Sequence, residues 1–263
     1  MQQEPLRVGL IGYGAIGQDV VRLVAERAAE AITIVGALVR DPDRKRDPAL
    51  PTVATLPALL ALYPHVVVEV AGQAGLREHG EQVLQAGIDL MLLSVGALAD
   101  PHFFHGLLQA AEWGHAHITI ASGAIGGLDA LASASLGELT SVIHTMRKPP
   151  ASLLAAEEAA RLAEAREIFR GNAREAIQQF PEFLNVAVAV ALASQGCEQT
   201  EVRVVADPTV THSLHEVQAT GTFGRFRCEI ENTPIEKVGR GAQLVAMSIV
   251  HTLLRRRTSF IIG

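Results

Sequence analysis

The period of the apolar positions changes along the chain, and those changes mark out its elements. Val8 to Ile11 is a short apolar run, and Ile32 to Val39 and His65-Val-Val-Val-Glu-Val-Ala-Gly72 are near-continuous ones. Such runs predict parallel strands covered on both faces. Between them, Gln18 to Ala29, Pro57 to Tyr63, Leu76 to Ala86 and Phe103 to Trp113 carry apolar residues at helical spacing. Pro48 to Pro57 reads as loop and short strand; Asp89 to Ser94 and His117 to Ala121 complete the strands. Strand and helix alternating at this pitch predict a Rossmann-type, doubly wound parallel sheet.

The pattern changes after Ser122. A glycine-rich turn, Ser122-Gly-Ala-Ile-Gly-Gly-Leu-Asp129, opens a helix to Leu136, and Thr140 to Lys148 is a strand stopped by Pro149-Pro150. Ala155 to Phe169 and Asn172 to Phe180 read as charged, Ala-rich helices, and Asn185 to Ser194 as an apolar one. Gln199 to Ala206, His215 to Phe223 and Phe226 to Asn232 read as strands. This half is expected to form a second, smaller α/β domain with an open mixed sheet. Gly241 to Arg257 returns to helical spacing and is expected to pack on the first domain. The division is therefore residues 1–122 with a C-terminal helix over 240–263, and 123–239 as substrate, catalytic and dimerisation domain.

The first strand ends in Gly12, Gly14 and Gly17, a G-x-G-x-x-G spacing set between strand and helix. Gly12 allows the tight turn, Gly14 lets a pyrophosphate approach the backbone, and Gly17 lets the helix pack close. The free N–H groups from Ala15 and Ile16 onward, at the positive end of the helix dipole, face that phosphate. Ligands on such sheets bind at the carboxyl ends of the strands. The rule gathers the glycine turn with Ala71, Gly72, Ser94, Val95 and the turn at Ala124. At the tip of the second strand stand Arg40 and Asp41. An acid there holds a ribose 2′-hydroxyl and an arginine accommodates a 2′-phosphate, so NAD and NADP both remain open.

Composition narrows the class. Of 263 residues 49% are hydrophobic and 19% charged, which predicts a globular chain rather than a disordered one. The net charge of −6 and the short Arg255–Arg257 run argue against nucleic acid as a partner. No apolar stretch reaches the ~18 residues of a membrane helix, and no signal pattern opens the chain. The two cysteines, Cys197 and Cys228, fit no metal or redox spacing, so a cytoplasmic protein with free thiols is expected. His212 and His215 lie three residues apart without a third ligand at a recognisable spacing, and no metal is expected. A hydride transfer requires a group to take the accompanying proton, and histidine suits it. Spacing alone does not choose among the ten histidines.

The motif Ser122-Gly-Ala-Ile-Gly-Gly-Leu-Asp-Ala-Leu131, flanked by Ser94-Val-Gly-Ala97 and Lys148-Pro-Pro150, resembles the L-aspartate dehydrogenase family. Phe169-Arg-Gly-Asn-Ala-Arg-Glu-Ala176, Asn185-Val-Ala187, Ala206-Asp-Pro208 leading to His215, and Gly221-Thr-Phe-Gly224 extend the resemblance over nearly the whole chain. The family is similar in architecture to dihydrodipicolinate reductase and homoserine dehydrogenase. The resemblance implies a cytoplasmic homodimeric oxidoreductase that oxidises L-aspartate with NAD or NADP to iminoaspartate. That product either feeds nicotinamide nucleotide synthesis or hydrolyses to oxaloacetate and ammonia. It implies His215 as the acid/base and Ala124 and Asn185 as dinucleotide contacts. A dicarboxylate substrate should need cationic or donor groups, and Arg147, Lys148 and His212 are candidates for that part. The chain departs from the family pattern at Glu182 and Phe183, where many members carry Lys-Asn, and at Ser213, where they carry Asn. The Ser/Asn-rich segment after Pro234 is also replaced. A reductase of another imine or semialdehyde is the alternative those departures raise, and a non-catalytic dinucleotide-binding protein is the second.

Overall fold

A computed structural model describes residues 4–44, 50–181, 183–234 and 243–261. The first half begins with β1 (Leu6–Ile11), α1 (Ala15–Arg27), β2 (Ile32–Leu38), β3 (Thr52–Val53) and α2 (Leu56–Leu60). It continues with β4 (Val66–Glu69), α3 (Gln73–Gln85), β5 (Asp89–Leu92), α4 (Pro101–Gly114) and β6 (Ile118–Ile120). The second half holds α5 (Leu128–Ala134), β7 (Leu139–Lys148), α6 (Ala156–Arg161), β8 (Arg166–Asn172), α7 (Ala173–Gln179) and α8 (Asn185–Leu192). Then follow β9 (Glu201–Ala206), β10 (Ser213–Gly221), β11 (Gly224–Asn232) and α9 (Gln243–Arg255).

Six strands form a wholly parallel sheet in the order β3-β2-β1-β4-β5-β6. The apolar runs explain it: Val8, Leu10, Val66 to Val68 and Leu90 to Leu92 have no exposed surface, as two covered faces require. Strand order reverses between β1 and β4, so the topological switch point lies beside the glycine turn that ends β1. The helices bury one stripe each, Val20, Val21 and Val24 on α1 and Leu76, Val83 and Leu84 on α3. By Cα proximity α9 belongs to this unit, which comprises Met1–Gly123 and Val245–Gly263. Ser248 on α9 accepts the Gly123 N–H at 3.0 Å, and Arg256 just beyond it pairs with Asp89 at 2.6 Å.

The second unit, Ala124–Leu244, is built on a five-stranded mixed sheet ordered β11-β10-β7-β9-β8. β7 and β9 run parallel and the other neighbours antiparallel. Ile125, Leu131, Val142, Val190, Val217 and Ala219 make its core, joining β7 and β10 to α5 and α8. α8 is apolar on every side and buries all of Ala187 to Ala191, as its sequence demands.

One expected element is replaced. Ala155 to Phe169 reads as a single helix, but α6 stops at Arg161 and Arg166–Asn172 forms β8. β9 offers an open edge there, and pairing along it satisfies a backbone row that a solvated helix would gain little from forming. Phe169 then packs edge-on against Phe180, with ring centroids 5.7 Å apart.

Candidate functional site

In the first unit the site grows from the strand ends at the switch point. Gly12 has φ of +93°, and a Cβ on it would come within 2.9 Å of Ala71 Cα and the Val70 carbonyl. Only glycine fits that turn. Gly14 has an ordinary φ, and nothing lies within 4 Å of where its Cβ would be. It caps α1 with no side-chain bond to the free N–H groups at the helix start, where Ala15, Ile16 and Gly17 follow. Gly72, with φ of +94°, likewise faces open space. An uncapped helix N-terminus beside two open glycines is the cradle a dinucleotide pyrophosphate requires, so these residues fit that group.

A residue not singled out by the sequence reading holds this floor in place. Glu69, the last residue of β4, is wholly buried. Its Oε1 accepts the N–H groups of Ala71 at 2.7 Å and Gly72 at 2.9 Å, and the Ser94 hydroxyl at 3.0 Å. Its Oε2 accepts the Ser94 N–H at 3.1 Å. Burial raises its pKa, and the backbone donors only partly oppose that. The acid stitches the ends of β4 and β5 together and thereby gathers Ala71, Gly72, Ser94 and Val95. Its sequence signal was a charged residue inside the apolar run Val66 to Val70.

Arg40 and Asp41 are exposed just past β2. The Asp41 carboxylate accepts the N–H groups of Asp43 and Arg44, each at 3.2 Å, which fixes the turn at the strand tip.

In the second unit a row of side chains shares the helix-covered face of the sheet. By strand alternation Val142, His144, Met146 and Lys148 on β7 point to one side, joined across the ladder by His215, Val217 and Ala219 on β10. The apolar end of the row lies in the core; the other end is polar. His215 is 5% exposed and His144 not at all. His144 Nε2 and His215 Nδ1 are 3.1 Å apart, with the rings stacked at 10° and centroids 5.4 Å apart. Burial, and then the charge of Lys148, push the His215 pKa down to about 4. Burial, and then His215 itself, hold His144 well below its ordinary 6.5. Lys148 Nζ stands 3.8 Å from the centre of the Phe183 ring.

Asn185 is half-buried at the first turn of α8. Ala124, also half-buried, is tethered through its carbonyl, which accepts from Asn232 Nδ2 at 3.0 Å. Arg147 points to the opposite face from His215 and is bound to Asp207 at 3.1 Å. Thr209 and Arg147 together hold the Asp207 carboxyl below its usual range. His212 lies 3.6 Å from Glu231, outside the buried row. So Lys148 joins His215 and His144, whereas Arg147 and His212 do not. Glu182 and the segment 235–242 lie outside the described residues. No helix among the described residues is long and apolar enough to cross a membrane.

Comparison with known proteins follows this division. Residues 12–121 match the homoserine dehydrogenase NAD-binding domain family, and residues 129–256 match the aspartate dehydrogenase C-terminal family. An L-aspartate dehydrogenase of Bordetella pertussis is 40% identical over 95% of this chain and 96% of its own. The crystal structure of aspartate dehydrogenase from Thermotoga maritima superposes with a TM-score of 0.81 at 28% identity, covering 98% of this chain and 99% of that one. A hyperthermophilic archaeal homoserine dehydrogenase in complex with NADPH shares the fold, with a TM-score of 0.63 at 9% identity and coverage of 98% and 99%.

Proposed function

The chain belongs to the L-aspartate dehydrogenase family and is an NAD(P)-dependent amino-acid dehydrogenase, and from that premise we propose that its substrate is L-aspartate and its acid/base His215. The observation that carries the reading is a neutral, nearly buried imidazole on the same sheet face as a lysine. In the first unit Gly12, Gly14, Ala15, Ile16, Gly17, Ala71, Gly72, Ser94 and Val95 form the dinucleotide contacts, with Arg40 and Asp41 at the ribose; the family resemblance assigns Ala124 and Asn185 to the dinucleotide as well.

When bound, the nicotinamide supplies the acceptor for the hydride leaving the substrate Cα. The chain's residues do the rest. With a pKa of about 4, His215 holds an unprotonated nitrogen at neutral pH and takes one proton from the substrate ammonium. The nitrogen lone pair thus freed lets the Cα–H bond part with its electron pair, and iminoaspartate results. Lys148 receives a substrate carboxylate.

The family resemblance supports further readings. Residues 1–122 with the C-terminal helix bind the dinucleotide, and 123–239 hold the substrate and the dimer contact, a division the two compact units support. The enzyme works as a cytoplasmic homodimer, and its product feeds nicotinamide nucleotide synthesis.

The test is absorbance in the NAD(P)H band, with L- or D-aspartate and each oxidised cofactor, for the wild type and His215→Ala. We expect a rise with L-aspartate alone, and turnover about 10²–10⁴-fold lower in the variant with NADH affinity preserved. Normal turnover in the variant would remove the role given to His215. A folded, NADH-binding protein inert toward L-aspartate would shift the assignment to another imine or semialdehyde.

A further inference from the structure

His144 is an expensive residue in its position. Its row on β7 continues the apolar core, with Val142 before it and Met146 after it, and an apolar side chain would pack there without penalty. A polar residue kept for stability has both its polar atoms satisfied; here only one is. Nε2 meets His215 Nδ1, while Nδ1 is buried without a hydrogen-bond partner among the described residues. A buried nitrogen left unpaired calls for an explanation other than stability, and the contact with His215 offers one.

What it does follows from proton positions. For His215 to exchange a proton with a substrate nitrogen through Nε2, its Nδ1 must keep a hydrogen in both the acid and the base form. That hydrogen needs an acceptor. Resting on His215 as the acid/base, we propose that His144 is a positioning residue: its Nε2 accepts the His215 Nδ1–H, fixing the ring and the tautomer that leaves His215 Nε2 free for the substrate.

A neutral acceptor differs from the carboxylate that commonly plays this part. A carboxylate stabilises an imidazolium by its charge, whereas the wholly buried His144 ring brings none. His144 stays uncharged, so it does not hold His215 protonated in the free enzyme. It also does not compete for the proton once His215 has taken one.

Steady-state kinetics and NADH titration of His144→Leu, His144→Gln, His215→Ala and the His144→Leu/His215→Ala double variant test this. Leucine removes the acceptor, and glutamine places an amide oxygen near the position of Nε2. We expect His144→Leu to lower kcat about a hundredfold, with KM for L-aspartate and NADH affinity within about threefold. Glutamine should recover kcat to within about tenfold of the wild type, and the double variant should be no slower than His215→Ala alone. A wild-type rate in His144→Leu beside a crippled His215→Ala overturns the role of His144 and leaves His215 standing. Losses that multiply in the double variant, or no rescue by glutamine, also overturn it and assign His144 to packing. A wild-type rate in His215→Ala fails the parent reading instead.

Discussion

Gly12 and Gly14 carry the same residue type for different reasons, and the difference is measurable. At Gly12 the backbone itself needs glycine, because φ is +93° and a Cβ would strike Ala71 and the Val70 carbonyl at 2.9 Å. Gly12→Ala should therefore lower stability by about 1–3 kcal/mol in urea unfolding, whether or not cofactor is present. At Gly14 the backbone is ordinary and the space beyond it is open. Gly14→Ala should fold within about 0.5 kcal/mol of the wild type yet bind NADH at least about tenfold more weakly, because the methyl meets the pyrophosphate. An unchanged NADH affinity in Gly14→Ala would remove that turn from the phosphate site. Residue spacing alone was enough to find this turn. It was not enough for His144, which looks like any polar interruption of a strand until β10 brings His215 beside it.

The elements show where local pattern suffices and where it does not. β1, β4 and β5 follow directly from their apolar runs, because both faces of a parallel strand are covered and the signal is continuous. β8 does not, because an edge strand buries little and its Glu and Arg residues mimic helical charge pairs; Arg170 does pair with Glu167 three residues back. What makes it a strand is the distant edge of β9. Glu69 was hidden for the same reason, since Ser94 lies 25 residues away and only the β4/β5 pairing joins them. The clamp predicts an order of stability. Glu69→Gln retains a carbonyl oxygen for Ala71 and Gly72 but sets an NH₂ toward Ser94, and should lose about 1–2 kcal/mol. Glu69→Val strands all the donors at once and should lose more than about 3 kcal/mol. A valine variant as stable as the wild type in urea would show that the strand ends hold their places without the acid.

At the scale of the whole molecule, the buried histidines make folding sensitive to acid in a definite window. His215 has its folded pKa lowered to about 4 from 6.5, so between those values the unfolded chain binds a proton that the folded one does not. Stability is therefore full above pH 6.5 and falls as pH drops toward 4, by about 3 kcal/mol in all for a shift of this size. His144, also lowered, acts in the same direction. Asp89 and Asp207 have depressed pKa values too, but their contributions disappear only below 3.8, outside the window. Glu69 opposes the histidines: its raised pKa favours the folded state at low pH, and that contribution is lost as pH rises above 4.5. The histidines should dominate, because two of them are buried against one acid that four hydrogen bonds partly compensate. Urea unfolding at pH 7 and pH 4.5 separates these effects. The wild type should lose at least about 2 kcal/mol more over that interval than His144→Leu/His215→Leu, in which the acid dependence flattens or reverses as the opposing contribution of Glu69 stays in place. Equal losses in the two proteins would mean that the pair is hydrated enough to titrate normally, and that a neutral imidazole poised as a base is not what this sheet face maintains.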